Sequence, residues 1–319
     1  MPDAPSPESL PPAGPTKPGD VIDAHMHLFT VGLLEEVISK QPPEAMKRWR
    51  KSLKDRKFGR RRDQELPDMT PEECARWYAD RIHVAGLAKA LFVSVMDDNE
   101  WTRQFLRAAN GHVQGLTAID PRNPDAPALL ERELAIGFRG VKLYPVNRCY
   151  YLSDPACRPF FEKAAELRTS ITIHYGVTVD PTGDLRYADP LDLSPVARDF
   201  PEITFVIAHF GAGWLDNVLR LAYQCKNVCV DTSGTNNWMD YYVPKMTLPE
   251  VFERALTALG PDRVLFGTDS GTTAPYRSWI KFQQMRILEE LGLSDADRDR
   301  VLRANAVRIF KMDDPLPAS

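Results

Sequence analysis

Eight short runs of aliphatic and β-branched residues recur along the chain, at 21–27, 89–95, 113–119, 140–144, 170–175, 204–210, 228–233 and 264–269. Runs of this length read as buried parallel strands. Between them apolar residues recur at helical spacing, over 98–110, 127–136, 159–168, 215–225, 249–259 (closed by Gly260) and 279–291. A further helix is expected near 71–87, and a last one over 295–310, where Ser294 is placed as N-cap and Asp297 as the acid three residues on. Eight β-then-α units without hairpin signals favour a closed (β/α)8 barrel of the TIM type. An open doubly wound sheet would usually carry a Gly-rich phosphate loop after its first strand. Here the first strand ends in His25-Met26-His27 instead.

The connection from Leu28 to Ala88 is oversized and leaves room for a helical insertion at about 30–70 besides the barrel helix. Its place after the first strand puts it over the C-terminal face, where barrel enzymes keep their catalytic groups. Within it, residues 44–62 hold ten Lys and Arg against Glu44 and Asp55, a local balance of +8. This segment reads as a basic lid attracting a carboxylate or phosphate substrate, or an acidic partner. The plainer reading is a solvated helix whose Met46, Trp49 and Leu53 pack downward. The first twenty residues contain seven prolines and almost no large apolar side chains, so a disordered tail is expected at 1–20, with one domain over 21–319.

Composition narrows the field. The 319 residues are 43% hydrophobic and 26% charged with a net charge of −4, which suits a globular protein and argues against a general nucleic-acid or anionic-membrane binder. The N-terminus has no hydrophobic leader and the chain no long apolar run, so a cytoplasmic enzyme is expected. Five cysteines without C-x-x-C spacing read as reduced packing residues.

Residues i and i+2 of a strand share a face, so His25 and His27 would point into the barrel mouth together and could grip one divalent metal. His174 and His209 end the fifth and sixth strand runs, and Asp269 ends the eighth, at the same rim. His83 and His112 lie away from it and are assigned no role.

This ordered set resembles the amidohydrolase superfamily, in the amidohydrolase-related branch that includes aminocarboxymuconate-semialdehyde decarboxylase. The resemblance rests on V-I-D-A-H-M-H, G-V-K-L-Y-P, I-T-I-H-Y-G, F-V-I-A-H-F-G, V-C-V-D-T-S-G, L-F-G-T-D-S and A-N-A-V-R-I-F, and it covers nearly all of 21–310. It implies a distorted (β/α)8 barrel holding one or two divalent metals, with His25, His27, His174 and Asp269 as ligands. His209 would be an acid/base group beside one metal or a ligand of a second. Lys142 falls where dinuclear members carry a carboxylated lysine bridging two metals, and it could instead stay an ammonium that pairs with substrate carboxylate or Asp269.

Three imidazoles and a carboxylate on Zn2+ (Mn2+, Fe2+ and Co2+ being alternatives) leave an open position for a water whose pKa falls to about 7. Asp269 could then act as general base and return the proton to the leaving group. Asp231 is placed to orient a ligand from behind. On the loops of this face, Arg148, Asn147, Tyr175, Asn236, Trp238 and Arg277 are candidate contacts for a small-molecule substrate, and an arginine there could hold a carboxylate.

The first expectation is therefore a metal-dependent hydrolase using a metal-bound hydroxide on a lactone, ester or amide carbonyl. The alternative is a non-oxidative decarboxylase or hydratase of an unsaturated or aromatic carboxylic acid at the same site. A non-catalytic scaffold is the third, and Asp269→Asn separates it from chemistry. Relatives of this type are often homodimers, which leaves a homodimer open.

Overall fold

The computed structural model describes residues 21–40, 47–56, 65–97, 100–178, 180, 183–234, 237–273 and 276–315. The expected tail at 1–20, the ends of the basic segment and Asn236 lie outside them. Eight strands form one parallel sheet in sequential order: β1 (Val21–Met26), β2 (Leu87–Asp97), β3 (Val113–Ala118), β4 (Val141–Leu143), β5 (Ile171–Ile173), β6 (Phe205–Ile207), β7 (Val228–Asp231) and β8 (Val264–Leu265). The seam between β1 and β8 is held by Ala24 N–H to Phe266 O (2.9 Å), Asp269 N–H to His25 O (2.9 Å) and His27 N–H to Ser270 O (2.8 Å). The (β/α)8 barrel expected from the alternating pattern is thus formed.

Thirteen α-helices are present among the described residues. They are α1 (Val31–Ser39), α2 (Lys47–Asp55), α3 (Pro71–Val84), α4 (Glu100–Ala108), α5 (Ala126–Ile136), α6 (Pro145–Arg148), α7 (Arg158–Glu166), α8 (Ser194–Asp199), α9 (Leu215–Gln224), α10 (Leu248–Leu259), α11 (Ser278–Glu290), α12 (Asp295–Asp299) and α13 (Asn305–Phe310). The last expected helix is interrupted by a π turn at Arg300–Ala304, and Ser294 caps it by accepting from Asp297 N–H. Between β5 and β6 the chain makes short turns and the six-residue α8 rather than a full helix, which distorts the barrel. None of the described helices is long and apolar enough to cross a membrane.

The pleat sorts the core into two parts. Ile22, Ala24, Leu91, Val93, Leu116, Val206, Cys229 and Leu265 cluster inside the barrel, closed from below by Ala306, Ile309, Phe310 and Met312. Their neighbours Val141, Leu143, Ile171, Ile173, Phe205, Ile207, Val228 and Val230 face the helix layer. Lys142 and Thr172 therefore point into the barrel, where they are buried. Pairing of β1 with β2 slips between Asp23 and Met26. That irregularity turns His25 to the interior immediately after the inward-facing Ala24.

The insertion after β1 is built from α1 and α2. Sequence periodicity did not single out α1, which Thr30 caps by accepting from Leu33 N–H (3.2 Å). From α1, the Glu36 carboxylate accepts the N–H groups of Glu100 (2.6 Å) and Trp101 (2.7 Å), satisfying donors at the start of α4. In α2, Trp49 and Leu53 pack on the core as the solvated-helix reading expects, while Lys47, Arg50, Lys51 and Lys54 are exposed.

A candidate metal centre at the barrel mouth

Asp23 fastens the two strand ends that carry the site. Its Oδ1 accepts from His25 N–H and Thr268 N–H (both 3.1 Å), and Oδ2 from the hydroxyls of Thr268 (2.5 Å) and Tyr276 (3.1 Å). Complete burial pushes this carboxyl up to about 7 in spite of those donors. Past this point β8 leaves the ladder, and Asp269 adopts a left-handed backbone (φ 59°) that swings its carboxylate over the mouth. His209 does the same after β6 (φ 57°).

Asp231, at the end of β7, is a hub. Oδ2 accepts from His25 Nδ1 (2.8 Å), and Oδ1 accepts from His209 N–H (3.0 Å), Ser233 N–H (3.0 Å) and the Ser233 hydroxyl. Burial alone would raise this acid, but the hydrogen bond from His25 and the positive charge of Lys142 hold it well below the ordinary range. An ionised Asp231 can only accept, so His25 carries its proton on Nδ1 and presents a bare Nε2 to the mouth. The Ser233 proton is committed to Asp231, so Ser233 Oγ accepts from His209 Nδ1 (2.8 Å), which leaves His209 Nε2 bare as well. Burial, and then Lys142, lower His25 to about 3, and burial lowers His209, so both rings are neutral at pH 7.

Two groups of donor atoms converge here, His25 with His209 and Asp231, and His25 with His27 and Asp269. In the first, hydrogen bonds already occupy the carboxylate. The second suits a cation better: Asp269 Oδ1 lies 2.9 Å from His27 Nε2 and 3.9 Å from His25 Nε2, and the latter nitrogen is buried without a hydrogen-bond partner. Donors this close fit a common ion at about 2.0–2.2 Å from each. Asp269 is held well below the ordinary carboxylate range: burial opposes this, but the hydrogen bond with His27 outweighs it. Lys142 is buried with Nζ 5.5 Å above the Tyr144 ring and without a hydrogen-bond partner, and burial lowers it to about 8 against the pull of Asp231 and Asp269.

The other expected contacts divide. His174 reaches the rim with its ring 5.1 Å from that of His209, but its Nε2 lies 3.2 Å from Val177 O, and it stands outside both donor groups. Tyr175 does not reach the mouth. The pleat turns it outward beside an inward His174, and it is fully buried with its hydroxyl donating to Asp192 (3.3 Å). Trp238 is likewise buried in the core, edge-on to Tyr242. Arg148 lies 5.9 Å above the Tyr144 ring, which stacks on His174 at 6.4 Å, and Asn147 donates to Thr178. Arg277 is well placed, with Nη1 3.9 Å from Asp269 Oδ2, buried and without a hydrogen-bond partner. Sequence reasoning passed over Ser233, whose only signal is its place two residues after Asp231. All five cysteines are free, and Cys149 is exposed rather than packed.

A family model described as amidohydrolase matches residues 22–312. No curated protein matches the chain. Among solved structures, a variant of 5-carboxyvanillate decarboxylase from Novosphingobium aromaticivorans, with bound manganese and 3-methoxy-4-hydroxy-5-nitrobenzoic acid, is 14% identical with a TM-score of 0.60, covering 91% of this chain and 97% of its own. A protein provisionally described as a 2-pyrone-4,6-dicarboxylic acid hydrolase from Pseudomonas putida gives 19%, 0.61, 92% and 98%. A zinc-bound amidohydrolase from Burkholderia multivorans gives 17%, 0.57, 91% and 99%. At these identities the likeness is one of fold.

Proposed function

Because this chain belongs to the amidohydrolase family, we propose that it is a metal-dependent hydrolase of a lactone, ester or amide bearing a carboxylate. The observation that carries the reading is the convergence of His25 Nε2, His27 Nε2 and Asp269 Oδ1, with one nitrogen of the three left bare in a buried site. A bare buried acceptor is costly unless something fills its place. The resident ion we favour is Zn2+, with Mn2+, Fe2+ and Co2+ as alternatives, since imidazole and carboxylate suit several such metals. One ion is the simpler reading, and Lys142 would have to become a carbamate to bridge a second. When bound, the ion would supply Lewis acidity that polarises a carbonyl and acidifies water.

The chain's own groups do the rest. Asp231 fixes the tautomer of His25 directly, and that of His209 through Ser233. Asp269 is ionised and reachable, so it takes the proton of the attacking water and hands it to the leaving group. His209, with Nε2 bare, is the second group able to accept or relay a proton at the rim. Arg277 Nη1 holds the substrate carboxylate by a charge-assisted hydrogen bond, with Arg148 and the ammonium of Lys142 adding positive charge nearby.

One observation favours decarboxylation as a second reading. A carboxylate on Arg277 would sit beside Asp269, within the donor group itself, where a leaving carboxylate belongs. Two of the named relatives act on aromatic or pyrone acids according to their names, in keeping with either reading.

Metal analysis of protein purified without chelator, beside His25→Ala, tests the shared premise. About one equivalent bound by the wild type and lost in the variant supports it, and no metal after supplying Zn2+ or Mn2+ refutes it. Assay of an acid panel for CO2 release against ring or ester opening then decides between the two reactions.

A further inference from the structure

The two histidines of β1 are supported in different ways. His25 has Asp231 on its second nitrogen, whereas His27 has Nε2 toward Asp269 and a buried Nδ1 with no hydrogen-bond partner. Histidines that hold metals almost always have their second nitrogen tied down, because the tie fixes ring orientation. Around His27 packing takes that place. The Phe29 ring lies 5.5 Å from the His27 ring at 32°, and Trp49 of α2 stacks on Phe29 at 6.0 Å and 27°.

Phe29 cannot drift from this position. Its N–H donates to Thr272 Oγ1 (2.7 Å), whose hydroxyl donates back to Phe29 O (2.5 Å), tying it to the chain just past β8. A Cβ on Gly271 would lie 3.5 Å from Phe29 and 3.9 Å from His27. The outer end is anchored too. Arg50 Nη2 donates to Ile38 O (3.3 Å), Arg56 pairs with Asp68 (2.9 Å), and Leu66 N–H donates to Arg56 O (2.9 Å), so α2 is held at both ends.

We propose that Phe29 and Trp49 are positioning residues for His27, holding by ring packing the orientation that Asp231 gives His25 by a hydrogen bond. The basic helix α2 thereby becomes a structural part of the metal site rather than only a cover above it. This inference rests on the reading of His25, His27 and Asp269 as a cation site.

The test is Zn2+ affinity of the metal-stripped full-length chain, measured by competition with a chelating dye, together with the rate of Zn2+ loss to EDTA and the melting temperature of the stripped protein. Phe29→Ala is expected to bind Zn2+ about 10-fold more weakly, as loss of an orienting partner does. Trp49→Ala should weaken binding in the same direction and release Zn2+ faster, and Trp49→Phe should restore both. Should Phe29→Ala fail to fold, Phe29→Leu, which fills the space without a flat ring, takes its place and should also weaken binding. Wild-type affinity and release in Trp49→Ala and the Phe29 variant would overturn the inference, as would a lowered melting temperature with affinity unmoved. Absence of Zn2+ binding by the wild type would instead overturn the metal-site reading beneath it.

Discussion

The two ends of the barrel treat charge in opposite ways. At the base, the long polar and charged side chains find partners: Lys89 Nζ reaches Met312 O and Asp313 (both 2.7 Å), Arg139 reaches Gln114 and Asp314 O, and Asn305 Nδ2 donates to Pro261 O (2.7 Å) and Val264 O (2.9 Å). At the mouth, His25 Nε2, His27 Nδ1, Lys142 Nζ and Arg277 Nη1 are buried and unsatisfied. Unsatisfied buried polar groups cost stability, so a cluster of ionisable ones at one end of a barrel marks where a ligand or a reaction uses them. The base is where this molecule is stabilised, and the mouth is where it is poised to act.

That contrast can be broken by substitution. The largest effect is expected from Asp269→Asn, which removes a carboxylate from the donor group and the proton carrier of the proposed reaction. Turnover should fall by about 1,000-fold or more with bound metal reduced, while the circular dichroism of the protein stays native.

Lys142→Met should raise stability. The folded lysine sits at about 8 against an ordinary 10.5, so the unfolded chain binds more protons between those values and stability rises with pH across that window. Below pH 8 the full penalty applies, on the order of 3 kcal/mol, and Lys142→Met should relieve it. The metal-free variant should therefore melt higher than wild type at pH 7, with the gap closing by about pH 10.5. A variant that melts lower would show that Lys142 is held by something stronger than its burial cost.

Asn305→Ala, at the base, should lower stability by about 1–3 kcal/mol, because two buried carbonyls lose their donor. Its melting temperature should fall by several degrees, at about 2–4 °C per kcal/mol for a domain of this size, with metal content unchanged. If the variant lost metal instead, the two ends would be coupled and the division drawn above would fail.

Much of the fold was legible because the patterns that encode it are local. Each of the eight strand runs forms a strand, and helices such as α5, α9 and α10 begin and end within a residue or two of where periodicity and Gly260 placed them. The strands proved shorter than their apolar runs at the mouth, since β6 ends at Ile207 and β8 at Leu265, and His209 and Asp269 beyond them turn left-handed. Backbone of that kind has no apolar signature. Tyr175 was misplaced for a related reason: nearness in sequence to His174 suggested a shared site, whereas the pleat sends neighbours to opposite faces.

What the sequence determined by itself was the barrel, the rim on which histidines and carboxylates collect, and the basic helix laid after the first strand. Those features follow from periodicity and from the rule that strand C-terminal ends share one face. Only the tertiary structure decided which rim groups meet. Asp231 takes both His25 and the Ser233–His209 pair, His174 turns to Val177, and Trp49 reaches Phe29 from a helix twenty residues on. Such choices depend on angles and distances between segments far apart in the chain, which residue spacing does not encode.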